Sequence, residues 1–161
     1  INAAKPDAVV QISAYTSCAA YIRAARKAGY GGTFYNVSFV GTQALADALG
    51  KEGAGVAVSQ VVPTPYSASR PVTREFLAAI AQGGNQVQPN FSSMEGYVAA
   101  KVLAEGMRRA SGKSRESLIG GLESISNQSF GGFQVDFSAT DHVASSFVEL
   151  SMLTGDGRVR T

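Results

Sequence analysis

A strand–helix rhythm repeated twice with tight joints constrains this chain more than any other feature. Residues 7–13, DAVVQIS, form a run of apolar, β-compatible residues, and Ser17 and Cys18 then open a helix, CAAYIRAARKAG, that Gly29 closes. A second strand follows at 33–39 (TFYNVSF), a second helix at 42–50 (TQALADALG), and a third strand, GVAVSQVVP, runs to Pro63. Strand, helix, strand, helix, strand with short connections specifies an α/β fold with a parallel sheet. Such a sheet gathers the loops after its strands at one edge, where ligands bind. The segments Ser13–Ser17 and Ser38–Thr42 are therefore the first place to look for a site.

The rhythm stops at Pro63. PTPYSASRP (63–71) is rich in Pro and Ser and reads as a crossing segment or hinge. A helix is expected over 72–82, with Phe76, Leu77 and Ile80 on one face. After the loop GGNQVQPN a long helix is expected from Ser92 to Ala110, its stripe formed by Met94, Tyr97, Val98, Val102, Leu103 and Met107. RESLIGGLESI reads as a shorter helix, weakened by Gly120 and Gly121. FGGFQVDFS (130–138) and SSFVELSMLT (145–154) read as half-buried strands, and Gly155-Asp156-Gly157 as a turn.

At 161 residues, 45% hydrophobic and 16% charged, the chain can bury an ordinary domain core. A net charge of +2 is too small and dispersed to argue for nucleic acid, and RAARK reads as a solvated helix face. One cysteine and one histidine argue against a metal site, and no cofactor motif is present. No apolar run is long enough to span a bilayer, and the 161 residues show no secretory signal pattern. The start at Ile1, without an initiator Met, reads as a piece of something longer.

Five stretches carry a family resemblance: KPDAVVQIS…AAYIRAARKAGY; TFYNVSFVGTQALADALGKEGAGVAVSQVVP; NFSSMEGYVAAKVLAEGMRRAS; RESLIGGLESI; and GGFQVDFSATDHVASSFVELSMLTGDGRVR. In this order they resemble type I periplasmic binding proteins, the extracellular ligand-binding receptors related to the leucine/isoleucine/valine-binding protein. The resemblance lies in the collinearity of the five, and it covers essentially the whole chain. It implies two α/β lobes of Rossmann-like, parallel-sheet build with a ligand held in the cleft. Since members of the family are considerably longer, it also implies that this is their C-terminal portion. Residues 1–62 would then be a second-lobe α/β segment, 63–71 the hinge crossing, 72–130 a first-lobe helical segment, and 131–161 strands returning toward the second lobe.

Candidate ligand contacts follow. Ser13, Tyr15, Thr16 and Ser17 stand between the first strand and its helix, where free N–H groups and the positive end of the macrodipole meet. Thr16 or Ser17 is expected to cap that helix. By resemblance, Ser38 stands where amino-acid-binding members carry an acidic residue for the ligand ammonium, and Phe39 lies beside it. Phe91, Ser93 and Met94 start the long helix, and by resemblance this end faces the ligand from the first lobe; the other reading is a capped helix with Phe91 as a hydrophobic staple. Cys18 and His142 are far apart in sequence and read as a buried thiol and a surface imidazole, not as a catalytic pair. GYGG (29–32) follows a helix, not a strand, and reads as a helix stop rather than a phosphate cradle.

No catalytic residue is identified, and an enzyme is not expected. The resemblance implies a periplasmic or extracellular solute-binding component of an ABC-type transporter, with a small polar or carboxylate-bearing, amino-acid-like ligand and a membrane permease as partners. The alternative is a ligand-sensing domain of a receptor or regulator, and behind it an enzyme on a doubly wound sheet. The apolar stripes of the helices at 72–82 and 92–110 predict either a further partner, the missing N-terminal part of the same protein or a second copy of the chain, or a repacking of these helices onto the remaining sheet.

Overall fold

The computed structural model describes residues 2–84 and 87–161. Two compact units make up the chain, residues 1–61 with 148–161, and residues 62–147.

In the first unit, β1 (Ala8–Gln11), α1 (Tyr15–Lys27), β2 (Thr33–Asn36), α2 (Thr42–Leu49) and β3 (Ala57–Gln60) follow in the order that the sequence predicts. β1 pairs parallel with β2, and β2 with β3. The last residues return as β6 (Glu149–Leu153), antiparallel to β3, and β7 (Val159–Arg160), antiparallel to β6. The sheet order is β1-β2-β3-β6-β7. Each of β1, β2 and β3 has four residues, shorter than the apolar runs that signalled it. β2 stops at Asn36 because Ser38–Val40 turns into a short 3₁₀ helix, which ends at Gly41 with φ 79°.

α1 begins at Tyr15, two residues before the expected start. Its N-cap is Ala14, with no side-chain cap, so Thr16 and Ser17 lie in the first turn and neither caps it. The apolar register explains this: Cys18, Ala19, Ile22 and Ala25 are buried at helical spacing, and Cys18 N–H already bonds to Ala14 O. Gly29, at φ 83°, ends the helix as expected: its N–H bonds to Arg26 O, and that of Tyr30 reaches Ala25 O.

The core lies between α1, α2 and one face of the sheet, around Ile22, Phe34, Leu45, Leu49, Val58 and Leu153. The rings of Tyr21 and Tyr30 meet Phe34 edge-on, their centroids 6.2 and 5.2 Å away. A polar layer crosses the same core. Gln60 Nε2 donates to Thr42 Oγ1 (2.9 Å) and to Ser151 Oγ (2.6 Å), and Ser151 Oγ donates to Val58 O (3.1 Å). All three polar side chains are buried, and such groups need partners of this kind.

The second unit holds α3 (Pro71–Gln82), α4 (Phe91–Arg109), α5 (Arg115–Glu123) and the antiparallel pair β4 (Gln128–Phe130) and β5 (Phe133–Val135). The expected single strand over 130–138 is instead a hairpin. Gly131 and Gly132 have φ 61° and 90° and turn the chain between β4 and β5. Gly131 also passes close to α3: its carbonyl accepts from Val72 N–H at 3.0 Å, and a Cβ there would fall 2.6 Å from Val72 N.

Two further expectations change here. The α4 stripe is not left bare, for Met94, Val98 and Val102 are buried, while Leu103 and Met107 stay exposed. Tyr97 stacks edge-on against Phe76 of α3 (5.6 Å), and α5 packs along the far half of α4. Nor are Gly120 and Gly121 equivalent flaws in α5. Gly120 is open to space, whereas Gly121 is buried against Gly106 and Ala110 of α4.

Candidate functional site: the C-terminal edge of the parallel sheet

β1, β2 and β3 end at the same edge because they are parallel, and the chain leaves each through a short loop. After β1, Ile12 and Ser13 lead into the first turn of α1. After β2, Ser38 and Phe39 form the 3₁₀ turn that leads to α2 at Thr42. Neither helix has a side-chain cap: Ala14 caps α1 and Gly41 caps α2. First-turn N–H groups that no side chain caps favour an acceptor such as a carboxylate.

The structure places the expected residues in distinct settings. Tyr15, Thr16 and Ser17 are exposed on the first turn of α1, and Ser13 is half-buried. Ser38 is half-buried and Phe39 projects into solvent. Ile12, which the sequence reading passed over, is also exposed beside Ser13; its place in the alternation of DAVVQIS was the available signal. Thr42, by contrast, is turned inward and spends its hydroxyl on Gln60.

The acid placed at this edge is Glu149, half-buried on β6 and in register with Gln60 at the end of β3. Asp47, on the second turn of α2, is exposed and accepts from Gln43 Nε2 at 2.9 Å. Cys18 is buried, and its Sγ lies 3.5 Å from Ser13 O. Burial pushes its thiol pKa up, against a smaller lowering by that carbonyl contact, so it is not an activated nucleophile. His142 belongs to the other unit, where Nε2 lies 3.0 Å from Glu123 Oε1.

Phe91, Ser93 and Met94 also lie in the second unit. Asn90 caps α4: its Oδ1 accepts from Ser93 N–H (2.9 Å), and Ser93 Oγ accepts from Asn90 N–H (3.0 Å). This reciprocal box is legible in N-F-S-S once Asn90 is taken as the cap. The Ser93 hydroxyl is thus engaged in the cap, Met94 is fully buried in the core, and Phe91 is buried edge-on to Tyr66 at 5.8 Å. The capped-helix reading holds in its cap, but the helix starts at Phe91 rather than Ser92, and Phe91, as the first helical residue, is not a staple ahead of the cap.

Among the described residues no group of His, Cys, Asp and Glu could hold a metal ion, and no helix is long and apolar enough to cross a membrane.

The family profile of periplasmic binding proteins matches residues 1–157. Solved structures agree. A possible leucine/isoleucine/valine-binding protein from Rhodopirellula baltica is 32% identical, with a TM-score of 0.90 over 96% of this chain and 42% of that one. A substrate-binding periplasmic protein from Ralstonia solanacearum is 32% identical, with a TM-score of 0.84 over 95% of this chain and 44% of that one. An extracellular ligand-binding receptor from Verminephrobacter eiseniae is 28% identical, with a TM-score of 0.84 over 96% of this chain and 44% of that one. Comparison with the curated proteins finds no significant match. The chain belongs to the periplasmic binding protein family, and its neighbours are ligand-binding proteins rather than enzymes. It spans less than half the length of these solved relatives.

Proposed function

We propose that this chain is part of the periplasmic or extracellular solute-binding component of an ABC-type transporter, delivering a small carboxylate-bearing molecule to a membrane permease. Family membership over residues 1–157 supports the class. The observation that carries the ligand reading is the edge of the first unit's sheet: two helix N-termini without side-chain caps, flanked by exposed Tyr15 and Phe39 and lacking an acid at Ser38. The N–H groups of α1 suit a carboxylate, and the two rings suit an apolar or aromatic body. Ser13 and the hydroxyls of Thr16, Ser17 and Ser38 add neutral hydrogen-bonding groups.

In the Ser38 loop an α-ammonium group finds no acid, and the carboxylate of this edge is that of Glu149, across from Gln60 on the neighbouring strand. Bound at Ser38, the ammonium would forgo a charge-assisted hydrogen bond of roughly 1.5–3 kcal/mol, or about ten- to a hundredfold in affinity. Aromatic and aliphatic carboxylates without an ammonium group are therefore the favoured ligands, and branched aliphatic amino acids the disfavoured ones. Calorimetry on the native protein with phenylacetate, benzoate and L-leucine tests this. The expected result is carboxylate binding that Tyr15→Ala weakens by about tenfold or more. Micromolar binding of leucine, or carboxylate binding that Tyr15→Ala leaves unchanged, would overturn the reading.

A further inference from the structure

The start of β6 brings a carboxylate to the edge where β1, β2 and β3 end. β6 runs antiparallel to β3, so its first residue, Glu149, lies in register with Gln60, the last residue of β3. Glu149 shares a face with Ser151 and Leu153, which are buried, and is itself half-buried. A carboxylate in such a position is costly unless hydrogen bonds satisfy it. Its register partner does not supply one, because Gln60 Nε2 already gives its two hydrogens to Thr42 and Ser151. Among the described residues no Lys, Arg or His pairs with Glu149, and no side chain or backbone N–H donates to its carboxylate.

We infer that Glu149 sets ligand specificity at this edge by accepting a hydrogen bond from a hydroxyl at the far end of a carboxylate ligand. The inference rests on the carboxylate reading given under the proposed function and deepens it. Repulsion between like charges fixes the orientation. Thr42 opens α2 and is bonded to Gln60, so the N-terminus of α2 is nearer Glu149 than is that of α1, and a ligand carboxylate is repelled there. The first turn of α1 holds no acidic residue and receives the carboxylate instead. In the sheet order β1-β2-β3-β6, β1 and β6 stand about 14 Å apart. A hydrogen bond of about 3 Å at each end leaves about 8 Å for the ligand between its acid and its donor. An α-amino or α-hydroxy acid is too short for this span. A phenylacetate with a para hydroxyl nearly fills it, its ring lying between acid and donor as an apolar surface for the exposed rings of Tyr15 and Phe39. The ligand class is thus narrowed to aryl carboxylates that carry a distal hydroxyl.

Calorimetry on the native protein with phenylacetate, 4-hydroxyphenylacetate, 2-hydroxyphenylacetate and 4-methoxyphenylacetate tests this. A hydrogen bond to a charged acceptor corresponds to about ten- to a hundredfold in affinity. The 4-hydroxy compound should therefore bind at least about tenfold more tightly than phenylacetate, and the 2-hydroxy and 4-methoxy compounds should show no such gain. Glu149→Ala should bring the ratio of 4-hydroxyphenylacetate to phenylacetate affinity to about one. Glu149→Gln, which keeps an acceptor oxygen without the charge, should leave a smaller preference than the native one. The ligand series needs no substitution, so it decides the matter even where a variant at position 149 fails to fold. A para hydroxyl that adds less than about threefold, an equal gain from the methoxy compound, or a preference that Glu149→Ala retains would overturn the inference, while phenylacetate binding would still uphold the carboxylate reading. Failure of every probe to bind would overturn both.

Discussion

Neighbouring glycines in α5 should respond oppositely to the same methyl group. A Cβ on Gly120 meets nothing within 4 Å, so Gly120→Ala should contribute only its better helix propensity, about 1 kcal/mol of stabilisation. A Cβ on Gly121 would overlap the Gly106 carbonyl oxygen and stand 2.9 Å from Ala110 N and 3.1 Å from Ala110 Cα. These are backbone atoms of α4, which cannot rotate aside, so the helices must separate. Overpacking of this sort costs about 1–3 kcal/mol, and the propensity gain offsets part of a clash at the upper end. Gly121→Ala should therefore lose about 2 kcal/mol, leaving the two variants about 3 kcal/mol apart. Gly106→Ala should fall between them, because its Cβ meets the Leu122 side chain, 2.7 Å from Cγ, and that side chain can turn. The chain has no Trp, so urea unfolding is best followed by far-UV circular dichroism. With a denaturant slope of about 1–3 kcal/mol/M, the midpoints of the Gly120→Ala and Gly121→Ala proteins should differ by about 1–3 M. Midpoints that shift together, in either direction, would show that α4 and α5 do not cross at Gly121.

Other outcomes follow from single features. Asn90→Ala should destabilise the second unit by about 1 kcal/mol by removing the acceptor for Ser93 N–H, measurable by the same unfolding assay; an unchanged midpoint would show that the capping box contributes nothing. Gln60→Leu should cost about 1–3 kcal/mol, because the Thr42 hydroxyl loses its buried donor, and a neutral result in thermal melts would argue against the polar layer. The Cys18 thiol should resist a thiol-exchange reagent at pH 8 until denaturant is added, and rapid native-state reaction would contradict its burial. Its pKa is raised in the fold, so the unfolded chain loses this proton first; its contribution to stability is fully present below the ordinary thiol range and declines as pH rises through it.

Much of the fold was legible because its signals are local. Apolar runs separated by helical stripes gave the order β1-α1-β2-α2-β3, and parallel pairing follows from the short joints. Misplaced features depend on groups distant in sequence. Ser17 looks like a cap, yet burial of Cys18 against the sheet sets the start of α1 two residues earlier. Gly131-Gly132 looks like a flaw in a strand until the hairpin turns there against Val72. Gly121 looks like a weak point in α5, and no local pattern reveals that α4 crosses at its Cα. At the candidate site, Ser13, Tyr15, Ser38 and Phe39 could be placed at the sheet edge because the edge follows from the βα order alone. The inward turn of Met94 could not, because the stripe that buries it also reads as a face awaiting a partner.

The link from Gln60 to Thr42 and Ser151 has a consequence for biosynthesis. β6 lies far along the chain from its neighbour β3, with the whole second unit synthesised between them. Until Ser151 leaves the ribosome, Gln60 lacks one of its acceptors, and Leu153 cannot close the core over Gly53. At usual elongation rates that delay is on the order of ten seconds, during which β3 is an unprotected edge. The polar layer also sets the register on arrival. A slip of one residue would drive Leu150 or Met152 against the Gln60 amide and turn Ser151 out. The late strand therefore has one admissible alignment, and a nascent chain that stalls before it should depend on chaperones.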